Sequence, residues 1–158
     1  MHLLFIDLNA GFYNNSKSVL AIISNKNKWI CVSHDGNLDS NIVLYDSLEG
    51  SKVDHDLGKL CSLLIGTKNA RKEELIFKAY NSQIQSAKSS GYIALANATA
   101  ICYGLKPENL IFNEKELIDH FIKIVYTNKK MKMFPYRTRK TSKPMSSKYL
   151  TYNLSRQA

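Results

Sequence analysis

The sequence predicts an α+β domain, and three observations carry the prediction. Short runs rich in β-formers recur through the first 80 residues. A helix that is apolar on almost every side follows at 91–103; such a helix belongs at the centre of a domain. The strands and helices do not alternate regularly and no segment repeats, which points to the α+β class.

The elements follow in order. Leu3–Ile6 and Val19–Ile23 are short apolar runs that predict strands. Trp29–Ser33 (WICVS) and Ile42–Tyr45 (IVLY) are stronger strands. The HDGNLDS segment between them is turn chemistry, so the pair predicts a hairpin. Over Asp54–Ile65, Leu57, Leu60, Cys61 and Leu64 fall on one helical face, and Gly66 closes the helix. Leu75–Tyr80 is a further strand. The central helix ends at Gly104, with Pro107 shortly beyond. Asn113 with Glu116 three residues later forms a capping box for the last helix, whose apolar face reads Ile118, Phe121, Ile122 and Val125. Beyond Tyr126 the chain turns polar, basic and aperiodic.

The length of 158 residues suits one domain, or one domain with a tail. No apolar run approaches the roughly 18 residues of a membrane span. The opening MHLLFIDLNAG has no basic leading region and meets Asp7 at once, unlike a secretory signal, so an intracellular protein is expected, nuclear or cytoplasmic. The three cysteines, Cys31, Cys61 and Cys102, sit inside apolar patterns and read as buried thiols. No Cys/His spacing fits a metal site, and neither metal nor cofactor is expected. Charge is unevenly placed. Nine bases and no acid lie between Thr127 and Ala158, while the other 13 of the 22 lysines and arginines share residues 1–126 with all 13 acids. The net +9 therefore belongs to the end of the chain.

Three places stand out along this order: Lys28-Trp29 opening a strand, Asp46 ending the next in YDSL, and Ser89-Ser90-Gly91 opening the central helix. Together with the helix text GYIALANATAICYG and the later MFPYR, they resemble the ubiquitin-like-protein-specific (SUMO-protease-like) cysteine proteases, in their divergent transposon and invertebrate branch. In that branch the strand reads roughly HWVCVS, the next ends in YDSL, and the nucleophile sits in an NGSDCG turn before a small-residue helix. The likeness runs from about Val19 to Arg137. It implies a papain-like core of mixed sheet plus central helix. Only 27 residues precede Lys28, so it also implies an N-terminally truncated form of that core. The domain is then 1–137, and 138–158 is a basic, disordered tail.

The resemblance implies catalysis by His, Asp and Cys, with an upstream glutamine at the oxyanion. By position these fall on Lys28, Asp46, Ser90 and Ile84, with Gln83 and Gln85 on either side of the last. Only the aspartate is kept. A serine hydroxyl needs an adjacent base, and an amine beside a carboxylate is held as an ammonium. Lys28 and Asp46 thus read as an ion pair, and Ser90 as a helix N-cap. His34 lies past the strand, and Cys102 lies about three turns beyond Ser90 at ~3.6 residues per turn. His55 and His120 have no ligand partner at a readable spacing.

The expectation is a degenerate, inactive protease-family domain that binds a ubiquitin-like modifier or another protein. The alternative is a binding module for nucleic acid or an acidic protein, acting through the basic tail and its interleaved Phe134, Tyr136, Tyr149 and Tyr152. A minor alternative is a hydrolase using Ser90 and Lys28. No membrane partner is expected.

Overall fold

A mixed six-stranded sheet with helices on both faces forms the frame in the computed structural model. The structure describes residues 3–6, 19–25, 28–36, 40–46, 53–65, 74–81, 87–127, 130–140 and 145–154. In chain order the strands are β1 (Leu3–Ile6), β2 (Val19–Asn25), β3 (Lys28–His34), β4 (Ile42–Asp46), β5 (Glu74–Asn81), β6 (Leu110–Ile111), β7 (Arg137–Thr138) and β8 (Ser147–Asn153). The helices are α1 (His55–Ile65), α2 (Ser90–Cys102) and α3 (Glu114–Thr127). The sheet order is β1-β2-β3-β4-β5-β8, and β6 and β7 form a separate ribbon. All neighbours in the large sheet are antiparallel except β4 and β5, which run parallel because α1 carries the chain across between them.

The α+β class is therefore observed, and so is the β3–β4 hairpin. His34 ends β3 and secures the turn after it. The Gly36 N–H donates to Nδ1 at 3.1 Å, which leaves the ring proton of the neutral tautomer on Nε2, facing Ser40 Oγ at 3.4 Å. Gly36 takes φ 86° there, a conformation glycine adopts without strain.

Alternation sorts the sheet's side chains into two cores. Ala21, Ile23, Ile30, Val32, Ile42, Leu44, Leu75, Phe77 and Ala79 pack with Leu57 and Cys61 of α1. Leu20, Ile22, Cys31 and Tyr45 point to the other face and meet Ala94 and Ala98 of α2. The far side of α2 contributes Ile93, Ala96 and Ala100 to a third cluster with Leu110, Phe112, Leu117 and Phe134. A helix covered on both sides needs small residues, which explains the alanine-rich text of α2. Gly104 follows at φ 73° and ends it.

Three expectations are corrected here. The residues beyond 137 are not all tail: Ser147–Asn153 form an edge strand paired along its length with β5, from Glu74↔Asn153 to Tyr80↔Ser147. Its Tyr152 is buried, lies over Gly58 of α1, and brings its hydroxyl to 3.2 Å from His55 Nδ1. Phe134 is buried as well, with its ring 4.9 Å from that of His120. The inward face of α3 is centred on Leu117 with Phe121, while Ile122 and Val125 are exposed. The cap at its start holds, since the Glu116 N–H donates to Asn113 Oδ1 at 3.2 Å. Cys31 and Cys61 are buried as expected, but Cys102 is exposed at the end of α2.

Candidate functional site

The pairings of β3 with β4 and of α2 with β3 bring the three positions singled out in the sequence to one end of the sheet. Lys28 is the first residue of β3 and Asp46 the last of β4; the ladder between the strands pairs Ile30 with Asp46. Lys28 Nζ donates to Asp46 Oδ2 in a close ion pair. The carboxylate side chain is 1% exposed and the lysine side chain 19%, so the pair is shielded from water on the aspartate side. The ion pair expected from the sequence is present.

Ser90 is the first residue of α2 and is fully buried. Its predicted capping role is shifted by one residue: Ser89 occupies the N-cap, without a side-chain cap hydrogen bond. The Ser90 hydroxyl instead accepts the backbone N–H of Trp29 at 3.2 Å. The β3–β4 register begins at Ile30, one residue later, so Ser90 satisfies a donor that this ladder does not reach. The Trp29 indole lies against the same helix start. A Cβ on Gly91 would come within 3.3 Å of Trp29 Cδ1, so glycine lets the ring settle on the backbone.

This arrangement does not suit nucleophilic catalysis. The Ser90 hydroxyl uses one lone pair on the Trp29 N–H and has no exposed surface from which to meet an incoming carbonyl. An ammonium paired with a carboxylate has no lone pair with which to take a proton. The positions around the predicted oxyanion group, Gln83, Ile84 and Gln85, lie outside the described residues, as do Ser47 and Leu48 of the YDSL segment. Cys102 stands at the opposite end of α2 from Ser90, about 18 Å away at ~1.5 Å per residue. Burial pushes the Cys61 thiol up to about 12 and raises Cys31 as well, so neither is a reactive thiolate. Among the described residues no group of three or more His, Cys, Asp or Glu side chains could hold a metal ion. Nor is any described helix long and apolar enough to cross a membrane.

A feature that sequence reasoning missed lies on the same face of the sheet as α2, running outward from beneath its edge. Tyr45 stacks on Tyr80 of β5 with ring centroids 5.5 Å apart and planes 9° from parallel, and its hydroxyl donates to Glu108 Oε2 at 2.9 Å. Burial and that carboxylate raise the Tyr45 phenol well above its ordinary range. Lys78 then places its ammonium 5.1 Å from the Tyr80 ring and 5.9 Å from the Tyr149 ring of β8. Period-2 alternation in ELIFKAYN and SKYLTYN is the available signal; the pairing of the two strands is not visible in the sequence.

Comparison with protein-family models, curated proteins and solved structures gave no match for this chain.

Proposed function

We propose that this chain is a non-hydrolysing domain of the ubiquitin-like-protease type, which binds a ubiquitin-like modifier or another protein partner without cleaving it. One observation carries the reading. Lys28, Asp46 and Ser90 occupy the three positions that the resemblance assigns to base, orienting acid and nucleophile, yet each is committed to a structural bond. Charge and hydroxyl serve as scaffolding: the ion pair ties β3 to β4, and Ser90 ties α2 to β3. What the frame keeps is a folded surface around Trp29, and what it gives up is turnover.

The test is a panel of ubiquitin-like precursors and their C-terminal fluorogenic derivatives, assayed with the native chain and with Ser90→Ala, alongside titration calorimetry of the same proteins. We expect no turnover from either chain and saturable binding of at least one panel member. Turnover that disappears in Ser90→Ala would overturn the reading and establish a Ser/Lys hydrolase. Absence of binding across the whole panel would remove the modifier as partner.

A further inference from the structure

We propose that the open end of the large sheet, formed by β5 and β8 on the α2 face, is a stacking platform for single-stranded nucleic acid. This inference does not depend on the protease-like reading. Strand register puts Lys78 directly opposite Tyr149, with Tyr80 on the diagonal from Tyr149 and Ile76 opposite Thr151. Diagonal neighbours across an antiparallel pair stand about 7–8 Å apart. The two rings and the ammonium between them thus form one continuous patch on a rigid sheet. α2 covers the face over β2, β3 and β4 and stops at Tyr80, so the platform begins where the helix cover ends.

The patch is accessible. Tyr149 is 63% exposed and Ile76 48%, and Thr151 is exposed beside them. A sheet in water seldom leaves a tyrosine ring and an isoleucine open side by side without a partner for them. Aromatic rings on a sheet, next to cations that meet the backbone, are what unpaired bases require: every base has a face to stack, and the phosphates need positive charge. The Lys78 ammonium supplies positive charge within the patch. In sequence β8 belongs to the stretch from Thr127 to Ala158, which holds nine bases and no acid, although its own base, Lys148, pairs with Ala79 and alternates to the α1 face. Among the described residues two carboxylates border the patch. Glu74 begins β5 at the far end, and Glu108 is engaged by the Tyr45 hydroxyl. Neither lies between Lys78 and Tyr149. An acidic protein partner would use the charge but would leave the stacking surface without a purpose.

The experiment is fluorescence anisotropy of a labelled twelve-residue oligothymidylate with the full chain, across a salt series. The variants are Tyr149→Ala, Tyr149→Phe, Lys78→Ala and Lys59→Ala; Lys59 is exposed on α1, on the opposite face of the sheet. Loss of one stacked base is expected to weaken binding about ten-fold in Tyr149→Ala, while Tyr149→Phe binds as the native chain does. Lys78→Ala should lower the slope of log K against log salt by about 0.7. Lys59→Ala should leave affinity within two-fold, a bound that follows from the opposite placement. Equal losses from Lys59→Ala and Lys78→Ala would reduce the effect to net charge and overturn the platform. So would equal affinity for polyglutamate, or a Tyr149→Ala chain that binds as tightly as native.

Discussion

Removing the lysine from the Lys28–Asp46 pair tests how the candidate site holds itself together. In Lys28→Met the side-chain stem is kept and the charge is lost, leaving a carboxylate that is 1% exposed without its ammonium. Breaking a buried pair on one side costs about 3–5 kcal/mol. The lysine side chain is 19% exposed, so part of its charge is still solvated in the native chain, and the lower end applies: about 3 kcal/mol. With a urea m-value of about 1.5–2 kcal/mol/M, the midpoint should fall by about 1.5–2 M, read by far-UV circular dichroism. The double variant Lys28→Met/Asp46→Leu, which leaves no charge behind, should recover most of that loss, to within about 1 kcal/mol of native. A Lys28→Met midpoint within about 0.5 M of native would mean that the pair behaves like an exposed surface bridge, worth about 0–1 kcal/mol, and would refute the argument.

Further outcomes follow from the packing. Because burial raises the Cys31 and Cys61 pKa values above those of the unfolded chain, the native state keeps these protons when the unfolded state has released them; the resulting stability is whole below about pH 8.5 and is lost as pH rises from there. Urea midpoints should therefore decline on the alkaline side up to about 12 for Cys61, and a thiol reagent at pH 8 should find one fast thiol, Cys102, in the folded protein and three in urea. Gly58→Ala would set a Cβ 2.4 Å from the Tyr152 ring; overpacking of about 1–3 kcal/mol should outweigh the roughly 1 kcal/mol of added helix propensity, with β8 amides losing hydrogen-exchange protection first. Phe134→Ala should cost about 3–5 kcal/mol in urea titration, since this ring fills the cluster between α2, α3 and the β6 strand.

Where short-range chemistry decides an element, the sequence is enough to read it. The β-branched runs of β3 and β4, the one-sided face of α1 and the asparagine cap of α3 all resolve within a dozen residues, and all are found. The failures are of another kind. SKYLTYN carries a clear alternation, with Leu150 and Tyr152 inward and Tyr149 and Thr151 outward, but its basic surroundings read as solvated chain; only the unpaired edge of β5 gives it a place. The apolar face of α3 can be drawn two ways along its sequence, and Leu117 faces inward because it meets Phe112 and Phe134, which come from outside the helix. Ser90 is legible as a helix-start residue but not as the acceptor of the Trp29 N–H, a bond across 61 positions. The Lys28–Asp46 pair is legible because the hairpin alone fixes it.

The two proposed surfaces share one sheet, and this decides how they can be told apart. Removing residues 138–158 would separate a tail from a domain, but here it would delete β8, open the β5 edge and take Tyr152 out of the core. Any loss of binding in such a chain would report unfolding. Point substitutions avoid this. Lys28 acts on stability from the β3–β4 end, and Tyr149 is an exposed ring on the edge strand whose removal disturbs little packing. The Tyr45–Tyr80 stack stands between them, so a strand lying along β5 would approach the α2 side without touching the ion pair. The double variant Lys28→Met/Tyr149→Ala should accordingly show the stability loss of the first and the oligonucleotide loss of the second, additive to within about 0.5 kcal/mol as expected for sites without shared partners. A coupling above that would mean that the stack transmits strain between the two ends, and the surfaces would have to be treated as one site.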